Sequence, residues 1–257
     1  MSEYPFADKT VLVTGASDGV GYATARRLVD DGATVFVHAN DQRRGDDAIA
    51  ALIKDGAEPL RLHLVVADFT RLAEVASLAD QLVAELPALD LLINNAAIAA
   101  PERRTYTDDG NEITFQVNYL AAYILTTALI DRIAKAHGRV LSVSSAVHLG
   151  GNIGWTDLAR ARGRYSSLAA CAQSKLALTM FTRSLAEANS GRLTAISVDV
   201  SHVVSDAATI LATLGAPDTA VVDGGYYQGQ VPASAAALVD NARARTRLAE
   251  LSDRLVR

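Results

Sequence analysis

The sequence predicts a single α/β domain, residues 1–257, in which a doubly wound parallel sheet carries helices on both faces. Three observations predict it. Short apolar runs alternate with longer helical patterns to the end of the chain, the order that repeated strand–helix units leave in a sequence. The runs are β-branched and leucine-rich without polar alternation, as strands covered on both faces are. The first run empties into three closely spaced glycines that open a helix. A chain of 257 residues, 50% of them apolar, buries a large core without staples.

Taken in order, the predicted strands are 10–14, 34–39, 61–66, 89–94, 139–144 and 193–198. Helical patterns fill 20–30, 72–85, 111–136 and 167–188 between them. Two segments break the rhythm, 97–110 and 201–229, and are expected as loops or small lids beside the ligand crevice of an open sheet. The sequence has no internal repeat or low-complexity linker.

The net charge of −5 and sequence pI near 5.5 argue against nucleic acid or an acidic membrane as partner, since either needs a basic face. The cluster Arg243, Arg245 and Arg247 is expected as a solvated helix face. One cysteine, Cys171, excludes an intramolecular disulfide and a multi-cysteine metal site, and no metal is expected. Residues 1–8 lack the basic-then-apolar order of a signal peptide, and no uncharged apolar run reaches membrane-span length. A soluble, cytoplasmic protein with a small-molecule substrate is the expectation.

The first strand leads into Thr14-Gly15-Ala16-Ser17-Asp18-Gly19-Val20-Gly21 and then a helix. Glycines at such a turn let the backbone bend tightly, approach a pyrophosphate and aim helix amides at its charge. Gly15, Ser17, Asp18, Gly19, Val20 and Gly21 are therefore candidate dinucleotide contacts.

The Gly-x-x-x-Gly-x-Gly spacing resembles that of the short-chain dehydrogenase/reductases, a Rossmann-like family, and further motifs extend the resemblance over roughly residues 9–257. Asp68 resembles the family's acid beside the adenine. Asn94-Asn95-Ala96-Ala97 resembles its Asn-Asn-Ala-Gly turn under the cofactor, with Asn95 and Ala96 as contacts and Ala97 in place of glycine. Val117-Asn118-Tyr119-Leu120 resembles the helix carrying its active-site asparagine, and Val143-Ser144-Ser145 the strand end carrying its serine. Residues 165–177, the pair Tyr226-Tyr227 and residues 248–255 resemble a retinol-dehydrogenase-like subgroup. The resemblance implies NAD(P). Which of the two is left open by Ala39 and Asn40 at the end of the second strand: Asp41 can accept from a ribose and Arg43 or Arg44 can reach a phosphate, yet each also serves as an ordinary helix-start residue.

For the reaction, the resemblance implies a tyrosine that exchanges a proton with the substrate oxygen. A lysine one turn later lowers its pKa and holds the nicotinamide ribose, a serine orients the carbonyl, and an asparagine supports a water joined to the lysine. Asn118, Ser145 and Lys175 stand at these positions, but the residue four before Lys175 is Cys171. Positions i and i+4 share a helix face. Acidity is no obstacle for a thiol; reach is, since sulfur extends ~3 Å from its Cα and a tyrosine oxygen ~6 Å, while proton transfer needs hydrogen-bond contact. Tyr165, ten residues before the lysine, cannot take over without a different backbone path.

A second departure lies where the family's Pro-Gly segment meets the nicotinamide. Here the chain reads Ser201-His202-Val203-Val204-Ser205-Asp206, which implies weak nicotinamide retention. Asp199 and Asp206 are repulsive there unless they face away. His202 is a candidate substitute acid or base, with His148 as a comparable one.

Three functions follow from these residues. The first is an NAD(P)-dependent oxidoreductase on a carbonyl or alcohol of a bulky apolar metabolite, with altered acid–base chemistry. The second is a non-redox cyclase, dehydratase or isomerase in secondary metabolism, and the third a catalytically silent homologue. The alanine-rich faces of helices 111–136 and 167–188 fit either homo-oligomerisation through these helices or packing inside the monomer.

Overall fold

The structure, a computed structural model, describes residues 4–200 and 203–256. The chain opens with β1 (Thr10–Val13), α1 (Gly19–Asp30), β2 (Thr34–Ala39), α2 (Gln42–Lys54), β3 (Leu62–Val66), α3 (Leu72–Glu85) and β4 (Leu91–Asn94). The long helix α4 (Ile113–Lys135), β5 (Arg139–Val143), α5 (Ser167–Ala188) and β6 (Thr194–Asp199) follow. The remaining elements are α6 (Val204–Gly215), β7 (Tyr226–Gln228), β8 (Val231–Ala233) and α7 (Ala242–Leu255).

The strands form one sheet in the order β3-β2-β1-β4-β5-β6-β7-β8, parallel except for β8, which returns antiparallel on β7. Strand order runs outward from β1 through β2 to β3 and then resumes at β4 on the other side of β1. That reversal opens a crevice at the carboxyl ends of β1 and β4, which is where such sheets bind ligands.

Alternate strand residues feed different cores, which is why the sequence shows no polar alternation. Val11, Val13, Leu91 and Ile93 pack with Leu28 of α1, Leu52 of α2 and Leu211 of α6 on one face. Leu12 and Leu92 pack with Leu78 of α3 and Leu125 of α4 on the other. A third cluster lies outside the sheet, where Tyr119, Tyr123, Met180 and Leu248 join α4, α5 and α7.

All six predicted strands form, trimmed by up to two residues at their ends. The segment 201–229, expected as a loop, instead supplies α6 and β7. Helix α6 is secured by tertiary contact, its Ala207, Leu211 and Ala212 buried against α1 and the sheet. Strand β7 is three residues long, too short for a periodicity signal, and buries Tyr226 and Tyr227 beside β6. Residues 97–110 remain mostly irregular. Within α4, residues Gln116–Leu120 form a π turn around Asn118, the kind of local unwinding that collects at functional sites.

In the basic cluster on α7, Arg243 and Arg247 are exposed as expected, but Arg245 is not. Arg245 is buried, donates to the Val239 carbonyl at 2.6 Å and pairs with Glu187, while Arg247 lies 4.9 Å over the Trp155 ring. Helix α7 folds back onto α4, where Tyr119 meets Ser252 and Tyr123 donates to Asp253, both at 2.6 Å. Parts of the α4 and α5 surfaces that fit pairing between copies are thus covered by the chain's own last helix.

Helix α4 is long and apolar enough to cross a bilayer, but 67% of its apolar window is buried inside the protein. Its apolarity is accounted for by core packing.

Candidate active site

The crevice holds a cavity of about 360 Å³ lined by Gly15, Ser17, Asp18, Val20, Gly21, His38, Asn40, Arg44, Asp68, Asn95, Ala96 and Ala97, with Phe69, Thr70, Ile98 and Val117. Its walls are set by close backbone approach. Gly15 has φ +62°, and a Cβ there would lie 2.8 Å from the Ala96 Cα. A Cβ on Gly21 would sit 2.1 Å from the Gly15 carbonyl oxygen and 2.6 Å from Asn95 Nδ2. Gly19, also left-handed at φ +53°, turns the chain into α1 without lining the cavity.

The turn at 94–97 is stapled to this loop. Asn95 Nδ2 donates to the Thr14 and Gly15 carbonyls at 2.9 and 3.0 Å, and Thr14 Oγ1 accepts from the Asn95 and Ala96 amides at 2.9 and 3.0 Å. Asp18 stands at the N-cap of α1 but its side chain makes no cap bond there, so the helix start faces the cavity with amide donors. Asp68 accepts from the amide and hydroxyl of Thr70 at 2.9 and 2.8 Å while lining the cavity.

His38, Phe69, Thr70 and Ile98 of this wall were not predicted, and His38 is the polar one with the most contacts to the loop. His38, at 2% exposure, accepts from the Gly15 amide through Nδ1 at 2.9 Å and donates through Nε2 to the Ala67 carbonyl at 3.0 Å. Its ring stacks on Phe69 at 4.2 Å, and burial holds its pKa down at about 4, so it is neutral. The available signal was a lone histidine inside an otherwise apolar strand two residues before its loop.

Ser145, Cys171 and Lys175 lie outside the lining of this cavity, on α5 and just beyond β5, which Lys175 ties together. Ser145 lies two residues beyond β5 and accepts weakly from the Val147 amide at 3.4 Å. Cys171 and Lys175 lie one turn apart on α5, the thiol half-buried and free. Lys175 is 8% exposed; its Nζ donates to the Val143 carbonyl at 2.7 Å. Burial pulls its pKa down to about 8, with the charges of Cys171 and Asp199 pulling the other way. It does not line the dinucleotide cavity. Asn118 directs its amide to Ile98, accepting from the backbone N–H at 2.8 Å and donating to the carbonyl at 3.1 Å, and it also reaches Ser174. Its side chain thus fixes the strand-end loop to the π turn.

Two histidines were candidate acids or bases. His202 lies outside the described residues. His148 is fully buried, with Nδ1 at the Ser145 carbonyl (2.8 Å) and Nε2 accepting from the Ala236 amide (3.2 Å), and burial lowers its pKa. Both nitrogens are engaged, so His148 is a structural tie and not an exchangeable proton donor. Tyr165 is engaged elsewhere: its hydroxyl donates to buried Glu112 at 3.0 Å, and burial together with that carboxylate pushes its pKa up to about 12. Of the two carboxylates flagged as repulsive, Asp199 accepts from the Ala146 amide at 3.1 Å and the Tyr226 hydroxyl at 3.4 Å. Asp206 lies exposed in the first turn of α6, where it favours the helix dipole.

The family described as short chain dehydrogenase matches residues 9–209. Retinol dehydrogenase 13 of Mus musculus is 34% identical over 195 residues, 76% of this chain and 57% of that protein. Polyprenol dehydrogenase of Mus musculus is 38% identical over 186 residues, 70% of this chain and 55% of that protein. The chain thus spans less than two thirds of these relatives. Among solved structures, an uncharacterized protein from Mycobacterium Paratuberculosis is 30% identical with TM-score 0.81, covering 99% of this chain and 96% of that one. A short chain dehydrogenase from Shigella flexneri complexed with NADP shares the fold at TM-score 0.72 and 20% identity, covering 89% of this chain and 100% of that one.

Proposed function

Because the chain belongs to the short-chain dehydrogenase family, we propose that it is an NAD(P)-dependent oxidoreductase interconverting a carbonyl and an alcohol on a bulky apolar metabolite, with altered acid–base chemistry. The observation that carries this reading is the cradle: Gly15, Gly21 and Asn95 approach so closely that a single added methyl would collide, which is the shape a pyrophosphate-binding turn needs. The relatives named for retinol and polyprenol make long apolar alcohols and their carbonyl partners the first substrates to try.

A bound nicotinamide dinucleotide supplies or accepts the hydride. Ser145 donates a hydrogen bond to the substrate oxygen and orients it. Lys175, with a pKa brought down to about 8, holds or releases a proton at Nζ near neutral pH, relayed to that oxygen by water through the space left by the short side chain of Cys171. The family's tyrosine position is occupied by Cys171, and lacking a positioned acid costs about 10²–10⁴-fold in rate.

The same short side chain favours a second reading, a cyclase, dehydratase or isomerase. It widens the crevice while Ser145 and Lys175 remain to polarise an oxygen. Cys171→Tyr decides between them. Carbonyl reduction followed by nicotinamide absorbance is expected to rise at least about 100-fold. No gain in the folded variant, with wild-type substrate turnover at constant absorbance, would establish the non-redox reading instead.

A further inference from the structure

The cradle leaves open whether the dinucleotide carries a 2′-phosphate, and the charges at its adenosine end bear on that choice. Asp18 at the start of α1, Asn40 after β2, Arg44 in the first turn of α2 and Asp68 after β3 line this end of the cavity. Among the described residues, Arg44 is the one cationic side chain in the lining, since His38 is neutral. Arg43 is exposed and does not line the cavity.

That guanidinium is already engaged. Its Nη1 lies 3.4 Å from Asp18 Oδ2, and its Nε lies 3.7 Å from Asp41 Oδ2. Asp41 is fixed in place because its Oδ1 caps the Arg44 amide at 2.9 Å. In the lining, Asp18 and Asp68 therefore outnumber the single guanidinium, which Asp41 also flanks from outside it. A 2′-phosphate would bring a further −1.5 to −2 charge, roughly, into a region already net negative. A free 2′-hydroxyl brings none and is a donor that a carboxylate can accept.

We infer that the pocket selects NAD(H) over NADP(H), and that Asp18 sets the choice by neutralising Arg44. The inference rests on the dinucleotide-binding reading and goes beyond it by naming the cofactor and the residue that chooses it. The selectivity comes from the glycine loop and not from an acid at the end of β2, where Asn40 stands.

Titration of the full chain with NADH and NADPH, read by nucleotide fluorescence or calorimetry at low salt, tests it without turnover. Wild type is expected to bind NADH at least about tenfold more tightly. Asp18→Asn should improve NADPH affinity about tenfold while changing NADH less than about threefold, and adding Arg44→Ala should cancel the gain. All three side chains are largely exposed, so thermal unfolding should report intact variants. Equal or tighter binding of NADPH by wild type, or an unchanged ratio in Asp18→Asn, overturns the selectivity alone. Failure of wild type to bind either nucleotide overturns the dinucleotide reading as well.

Discussion

At the glycine loop, a methyl group added to Gly21 would sit 2.1 Å from a carbonyl oxygen, whereas on α5 the Cys171 thiol is half-buried and free. The two regions obey different constraints. The cradle is backbone against backbone, stapled by Asn95, Thr14 and His38, so its residue types are dictated by sterics that the fold enforces with or without a reaction. The proposed reaction centre consists of side chains whose identity only chemistry would demand, so a position there can change while helix, strand and core stay as they are. That difference would permit the proposed combination of an intact cradle beside an altered centre.

The largest effect that would break this comparison is at Gly21. Gly21→Ala should weaken dinucleotide binding about 100-fold and lower stability by about 3 kcal/mol, through overpacking against a backbone carbonyl that cannot yield. Cys171→Ala should leave both nearly unchanged. Calorimetric titration with thermal unfolding measures the pair, and a Gly21→Ala protein that binds within threefold of wild type would mean the walls are not packed as described.

His38 and Lys175, one in each region, sharpen the comparison through pH. For His38 the folded pKa of about 4 lies below the ordinary 6.5, so the unfolded chain takes up the proton first. Stability should therefore fall as pH drops from 6.5 to 4, by up to about 3 kcal/mol, and His38→Asn should flatten that limb in denaturant unfolding. For Lys175 the folded pKa of about 8 lies below 10.5, so the cost of burying its charge is present in full below pH 8 and relieved as pH rises toward 10.5. Stability should climb over that window by a similar amount, up to about 3 kcal/mol. Lys175→Met should abolish the climb. A stability curve of Lys175→Met that rises as steeply as wild type between pH 8 and 10.5 would locate the titrating group elsewhere.

How far the sequence could be read varies by residue. Gly15, Gly19 and Gly21 were legible because a left-handed turn and a close approach exclude other residues at fixed spacing. The Cys171–Lys175 relation was legible because a four-residue interval fixes a shared helix face. His38 was missed, since a histidine in a strand says nothing of whether its ring meets a glycine amide 23 residues away. Likewise, Arg245 looked solvated from its neighbours in sequence, and only the fold brings it to Glu187, 58 residues distant.

By itself, then, the sequence determined the alternation of strands and helices and the place of the glycine turn. These follow from periodicity and from local steric rules, which operate over a few residues. The tertiary structure alone decided that His148 is a tie with both nitrogens engaged, that 201–229 contributes a helix and a strand, and that α7 covers α4. Each of those depends on a contact between elements distant in the chain, and a polar group's role is set by whichever partner the packed fold presents to it.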